Sequence, residues 1–380
     1  MDNLKSESLK AHKKFKGKLS VVSKVPLKTK KDLSLYYTPG VAFPCKEIEN
    51  NPKFAYEYTC KSNMIAVVTD GSAVLGLGNI GALAGLPLME GKCVLFKIFG
   101  GIDAVPICLD TQDTDKIIEI VKAIAPSLGG INLEDISAPR CFEIEKVLSG
   151  CLDIPVFHDD QHGTAIVCLA GLINALKVVK KDFKKVAVVV NGAGAAGIAI
   201  TKLLLKYGFK NISLVDSKGL IYEGRDDLNE DKNKISKVTN LKKSKGDLKD
   251  AIKEADVFVG VSKPNLLKAS DVKLMNKDPV IFAMANPDPE IAPKEAKKGG
   301  AKIIATGRSD YPNQINNALI FPGFFKGLLK GRIGKITDEM KIAAAKALAA
   351  MVKNPTAEKI IPKIFDKGVA DKIARAVMNG

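Results

Sequence analysis

Residues 185–221 read KVAVVVNGAGAAGIAITKLLLKYGFKNISLVDSKGLI, and this stretch decides the fold. From Val186 to Val190 the chain is apolar and largely β-branched, as a parallel strand covered on both faces should be. The run enters Gly192-Ala-Gly194-Ala195-Ala196-Gly197, where glycines permit a tight turn, close approach to a pyrophosphate and tight packing of the next helix. That helix carries Ile198, Ile200, Leu203, Leu204 and Tyr207 on its apolar side and ends at Gly208. Ile212 to Val215 form a second strand, closed by Asp216 about 20 residues beyond the last motif glycine, where an acid would hold a ribose hydroxyl. Strand, turn, helix, strand and acid together predict a dinucleotide-binding βαβ unit.

Working outward, Val257–Val261, Val280–Ala283 and Lys302–Ala305 read as three further strands of the same doubly wound sheet. The loops after them begin with Ser262-Lys-Pro, Met284-Ala-Asn286-Pro and Thr306-Gly-Arg308. Such loops face one crevice at the C-terminal ends of the strands. Asn313-Gln-Ile-Asn316-Asn317 adds more amides, and the remaining segments Asp338–Met351 and Ala357–Met378 read as packing helices.

Upstream, the first 30 residues predict an amphipathic, lysine-rich helical arm ending at Pro26. Leu35–Pro44 centres on a Pro39-Gly40 turn. Met64–Thr69 is a strand ending in Asp70-Gly71. A second GxGxxG match, Gly76 to Gly81, is read as a decoy. Asp70-Gly71 separates it from the strand, and Gly85 and Pro87 should end its helix after little more than a turn. Cys93–Phe99 is expected to be a strand, and Thr114–Ala125 a helix.

Two places gather acids. Glu134 and Asp135 follow a short apolar strand, and Asp159 and Asp160 sit between a strand ending at His158 and a helix expected to start near His162. The four-residue spacing of His158 and His162 invites a zinc reading, but that motif needs both rings on one helix. Paired acids at strand ends suit a hard divalent cation better. The boundary between an N-terminal domain (1–158) and a Rossmann domain (159–380) is placed here.

Bulk composition excludes several classes. With 380 residues and 46% hydrophobic content the chain can hold two cores. No apolar run is long enough to span a bilayer, and the N-terminus lacks a signal-peptide core, so a cytoplasmic enzyme is expected. Seven cysteines, odd in number and without a CxxC, read as reduced thiols. The net charge of +16 comes from 58 basic residues of which only five are Arg, dispersed along the chain and without Trp. That is a poor nucleic-acid footprint and a better fit to small anions.

The ordered segments YTPGVA, DGSAVLGLGNIGALAGLPLMEGK, INLEDI, VFHDDQHGTA, NGAGAAG, VDSKG, ANPDPEI and NQINNALIFPG resemble a small, prokaryotic-type malic enzyme over about residues 34 to 330. The resemblance implies an α/β substrate domain followed by a Rossmann-like doubly wound NAD(P)-binding domain. It also implies oxidative decarboxylation of L-malate to pyruvate and CO₂ with Mg²⁺ or Mn²⁺. Carried onto this chain, Tyr37 is the general acid, and Lys92 is the general base, expected to have a pKa lowered toward neutrality. Asp159 partners Lys92, and Glu134, Asp135 and Asp160 bind the metal. Asn286 and Asn317 hold malate, while Asn286, Asn316 and Ser262 join Gly192, Gly194, Ala195, Ala196, Gly197 and Asp216 at the coenzyme. Lys97 is the competitor for Lys92. Larger members carry an Arg just after the DG of the first motif, whereas this chain has Ser72-Ala-Val. Asp216 favours NAD and Lys218 softens the bias against NADP. A homodimer is expected, and the sequence leaves two places open for Tyr37, its own site or the partner's. The alternatives are a hydroxy-acid or amino-acid dehydrogenase without decarboxylation, against which four clustered carboxylates argue, and a basic RNA-binding protein.

Overall fold

The computed structural model describes residues 2–74 and 76–380. Four parallel strands, β1 (Met64–Thr69), β2 (Asp103–Cys108), β3 (Gly130–Leu133) and β4 (Val156–His158), form a sheet in the order β2-β1-β3-β4. A second sheet contains β5 (Ala187–Asn191), β6 (Asn211–Asp216), β7 (Gly219–Leu220), β8 (Val257–Gly260), β9 (Val280–Ala283) and β10 (Ile303–Thr306) in the order β10-β9-β8-β5-β6-β7. Only the β6–β7 pair is antiparallel. The second sheet is the doubly wound unit expected from residues 185–221.

The 20-residue helix Asp159–Val178 joins the two sheets and is buried along most of its length. Its apolar all-round sequence suits a central position. The helix Phe321–Lys330, which follows β10, packs back toward the first sheet. Phe96 lies 4.6 Å from Phe321 between ring centroids, and Phe157 lies 5.0 Å from Phe324. Such aromatic pairs contribute roughly 0.5–1.5 kcal/mol each beyond the area they bury.

Three local expectations fail. Residues 93–99 are not a strand: a helix runs Ala82–Leu95 through Pro87 and continues as a π-turn, Phe96–Gly100. Ala82, Gly85, Met89, Cys93, Phe96 and Gly100 are buried, which is a helical period, while Leu83 and Ile98 are exposed. Exposed apolar side chains hid that period and left β-branched and aromatic content as the misleading signal. The N-terminal helix is shorter than expected, Asp2–Phe15, and stops where Lys16 and Gly17 take positive φ. The following segment straps across the Ala82–Leu95 helix, the Lys18 ammonium donating to Pro87 O and its backbone N–H to Glu90. At the other end, helix forms only over Val369–Met378 within residues 357–378. All seven cysteines are free thiols.

Candidate active site

Parallel pairing of β3 and β4 puts Leu133 opposite His158, so the residues that follow both strands emerge at one end of the sheet. The central helix begins at Asp159, earlier than expected, and Asp159 and Asp160 fill its first turn beside Glu134 and Asp135. Carboxylate oxygens of Glu134, Asp135 and Asp160 all lie within 4.8 Å of one another. Asp135, with φ of +52°, donates its backbone N–H to Asp160 Oδ2 at 2.8 Å. Asn132 lies on the same face of β3, two residues before Glu134, and donates to Glu134 Oε2 at 2.9 Å. Burial, reinforced by mutual repulsion, pushes the carboxyls of Asp135 and Asp160 above their ordinary range, and burial does the same to Glu134.

Lys92 reaches into this group from the Ala82–Leu95 helix. Its ammonium is 2.7 Å from Glu134 Oε1, 2.7 Å from Asp159 Oδ2 and 4.3 Å from the Phe321 ring centroid. Burial alone would lower its pKa, but Asp159 and Glu134 outweigh that and hold it well above the usual lysine value. The expected shift toward neutrality is therefore reversed in this arrangement. Two carboxylates in contact stabilise the charged form more than desolvation destabilises it. Burial pushes the Asp159 carboxyl up to about 7. Lys97 instead stands at the surface, paired with Asp103 at 2.7 Å.

The histidines diverge. His162 Nε2 meets Glu145 Oε1 at 2.8 Å, whereas the fully buried His158 has Nε2 3.7 Å from Asp160 Oδ2. Burial lowers His158 to about 4, so it is neutral. Among the described residues, Glu134, Asp135 and Asp160 form the one group of three or more His, Cys, Asp or Glu donors spaced for a metal.

Glycine geometry bears out the turn at residues 192–197. Gly192 has φ of +115° and a Cβ there would lie 2.6 Å from Val261 O; one on Gly197 would lie 1.6 Å from Gly192 O. Gly194, at the N-cap of the Ala195–Tyr207 helix, faces open space. Together they form a cradle of the kind that accepts a pyrophosphate. Asp216 is far from free. Its Oδ2 accepts from Arg225 Nη2 at 2.6 Å and Lys232 Nζ at 2.7 Å, and its Oδ1 from the Lys218 backbone at 3.0 Å. Burial pushes its carboxyl up, but those two cations hold it down at about 2.

The loops gather as the strand order requires. Asn317 opens a 3₁₀ turn over Asn317–Leu319, capped by Asn316 Oδ1 accepting from Ala318 N at 2.8 Å. A Cβ on Gly163 would lie 3.1 Å from Asn317 Cβ and 1.8 Å from Asp159 Oδ1, so the amide loop abuts the acid cluster. Gly76 of the other glycine-rich loop packs on Asn286-Pro287, where a Cβ would lie 2.8 Å from the proline ring. That loop does open onto the Ala82–Leu95 helix. Tyr37, by contrast, is 66% exposed at the end of the Lys30–Tyr36 helix, while Lys92, Glu134, Asp135 and Asp159 are buried.

Several supporting groups escaped the sequence reading. Buried Glu290 accepts from the backbone N–H of Ser262 at 2.9 Å and of Ala285 at 3.1 Å, tying two coenzyme-side loops together. Glu145 accepts from His158 N and Gln161 Nε2, each at 3.0 Å, bracing the strand-to-helix junction. Asp70 takes Ser72 on one oxygen and Arg140 Nη2, at 2.8 Å, on the other. Beside it, Ala73 N donates to Asp135 O at 2.9 Å. Only Asn132 had a legible signal, its strand alternation with Glu134.

Residues 16–149 match the malic enzyme N-terminal domain and residues 161–380 the malic enzyme NAD binding domain. The chain belongs to the malic enzyme family. It is 56% identical to the bifunctional malic/malolactic enzyme of Bacillus subtilis, covering 99% of this chain and 92% of that one. It is 49% identical to the NADP-dependent malic enzyme of Escherichia coli, covering 99% of this chain but 52% of that longer protein. Among solved structures, the NAD-dependent malic enzyme of Thermotoga maritima superposes with a TM-score of 0.95 at 50% identity, covering 97% of this chain and 98% of that one. The two malic enzyme domain matches meet at residues 149–161, beside the start of the central helix.

Proposed function

We propose that this chain converts L-malate to pyruvate and CO₂, reducing NAD(P) with a divalent cation present. The observation that carries the reading is the buried contact of Lys92 with Asp159 and Glu134 beside two further carboxylates. A plain dehydrogenase site needs no such group. The division at 158/159 assigns Lys92, Glu134 and Asp135 to the substrate domain and Asp159, Asp160 and the Gly192–Gly197 turn to the coenzyme domain. We assign the chain to the cytoplasm as a homodimer.

Glu134, Asp135 and Asp160 fit a hard cation: the donors are all oxygen, and buried Asp135 Oδ2 has no partner. Bound there, Mg²⁺ or Mn²⁺ supplies a Lewis acid for the C2 oxygen and for the loss of the distal carboxylate. The coenzyme, cradled by Gly192, Gly194 and Gly197, supplies the hydride acceptor. Lys92, once neutral, takes the proton of the C2 hydroxyl. A cation held by Glu134 would draw on the same carboxylate charge that holds Lys92 as an ammonium and so bring the amine closer to its base form, while Asp159 keeps it oriented. Asn286 and Asn317 bind malate carboxylate, Asn316 faces the nicotinamide carboxamide, and Tyr37 of the second copy delivers a proton to C3.

The test is NAD(P)H formation from L-malate with Mn²⁺, with pyruvate, oxaloacetate and lactate assayed separately. Pyruvate equal to reduced coenzyme is expected. Oxaloacetate accumulating instead would overturn the decarboxylation, and lactate without net reduced coenzyme would move the reading to the second activity named in the Bacillus relative.

A further inference from the structure

Asn132 and His158 approach the acid cluster from opposite faces of the first sheet. Parallel pairing sets Asn132 beside Phe157 and Leu133 beside His158, and residues in register share a face. Asn132 directs its amide N–H to Glu134. His158 has no such bond: its side chain is fully buried, and neither Nδ1 nor Nε2 meets a hydrogen-bond partner among the described residues. A neutral imidazole has one donor and one acceptor, and leaving them unmade in a buried site is costly. Glu145 accepts from the His158 backbone N–H at 3.0 Å, which fixes the point from which the ring extends. The ring's Nε2 then stands 3.7 Å from Asp160 Oδ2. That same oxygen accepts from the Asp135 backbone at 2.8 Å. Both contacts of the Asp160 side chain among the described residues thus fall on Oδ2, and Oδ1 is left to ligate. His158 itself is not one of the three donors spaced for a metal.

Resting on the reading of Glu134, Asp135 and Asp160 as the cation site, we propose that His158 is a positioning residue for that site, its Nε2–H holding Asp160 Oδ2 so that Oδ1 faces the cation. A turn of the carboxylate about its Cβ–Cγ bond changes the gap, and about 1 Å of travel brings Oδ2 within hydrogen-bond reach of Nε2. With Asp135 N–H already on it, Oδ2 then has two donors and the carboxylate a single orientation. Carboxylate ligands are commonly held by partners of this kind, whose loss weakens metal binding by about 10–100-fold. His158 therefore acts through Asp160, as Asn132 acts through Glu134 on the other face of the sheet.

The experiment is calorimetric titration of the metal-free, full-length protein with Mn²⁺, without malate or coenzyme. His158→Phe keeps the ring's bulk and removes both nitrogens, so Mn²⁺ should bind about 10–100-fold more weakly. His158→Gln, whose amide N–H can stand near the place of Nε2, should recover most of that loss. A ring needed only for packing predicts the reverse order, because Phe fills the space better than Gln. Equal affinity in wild type and His158→Phe overturns the proposal, as does a His158→Gln variant that binds no more tightly than His158→Phe. Wild type gives a second reading, since the chain has three histidines. With ¹⁵N-histidine labelling, saturating Mg²⁺ should move the His158 Nε2–H proton downfield and slow its exchange with water, while His12 does not respond. An unchanged His158 signal in the Mg²⁺-saturated protein overturns the proposal whether or not the variants fold. Wild type that binds no Mn²⁺ overturns the metal reading and this proposal with it, whereas normal binding with an indifferent His158 overturns the proposal alone.

Discussion

Lys92 Nζ and Asp159 Oδ2, 67 residues apart in the chain, meet at 2.7 Å in a pocket where both side chains are buried. The lysine comes from a helix of the first half and the acid from the first turn of the central helix, so the pair exists only when both elements are seated. Removing one partner of a buried ion pair leaves the other uncompensated, at about 3–5 kcal/mol. Lys92→Met should therefore lower the melting temperature as well as kcat, the latter by about 10²–10⁴-fold, the usual contribution of a positioned base. Equal melting curves with lost turnover would show the pair to be purely chemical.

Gly163 stands where a methyl group would overlap Asp159 Oδ1. Gly163→Ala must push that carboxylate off Lys92, and misplacement of about 1 Å at a reacting group can cost on the order of 100-fold in rate. Kinetics should show kcat falling steeply while NAD affinity, measured by fluorescence, stays within about twofold.

Three crowded carboxylates destabilise the protein until a cation relieves them. Added Mn²⁺ should raise the melting temperature in proportion to the logarithm of its concentration, as mass action requires. Asp135→Asn and Asp160→Asn should flatten that dependence, and EDTA should abolish turnover. A melting temperature indifferent to Mn²⁺ would remove the metal from this site.

Glu145 gives a pH signature away from the acid cluster. Burial pushes its carboxyl up, but His162 and His158 pull it down to about 2 from an ordinary 4.5. Its folded-state value is depressed, so its stabilisation is complete above the unfolded value and is lost as pH falls from about 4.5 toward 2. Denaturant melts should show the wild-type advantage over Glu145→Gln at pH 6 shrinking across that window. A constant gap would mean that the pairing with His162 is inert.

Exposed Tyr37 makes a proposal about assembly testable. Mixed Tyr37→Phe and Lys92→Ala chains should recover up to a quarter to a half of wild-type activity if each site draws its tyrosine from the other copy. No recovery would put both residues in one protomer.

How much of this was legible depended on distance along the chain. The unit from Val186 to Asp216 could be read outright because its strand, turn, helix and acid are local and periodic. The cluster of Glu134, Asp135 and Asp160 was legible because acids at strand ends are unusual company for apolar runs. The Cys93–Phe99 segment misled because Leu83 and Ile98, apolar yet exposed, blurred the helical period. The charge state of Lys92 and the pinning of Asp216 were beyond reach, since each is set by partners that only folding brings near. Asp159 is 67 residues from Lys92, and Lys232 is 16 from Asp216.

Glu290 carries a different consequence. It grips the loops at Ser262 and Ala285 through their backbone N–H groups, which every residue except proline possesses. The side chains lining those loops can therefore be exchanged while the grip endures. Descendants of this chain have latitude to retune what the coenzyme side touches, so long as one buried acid is inherited intact.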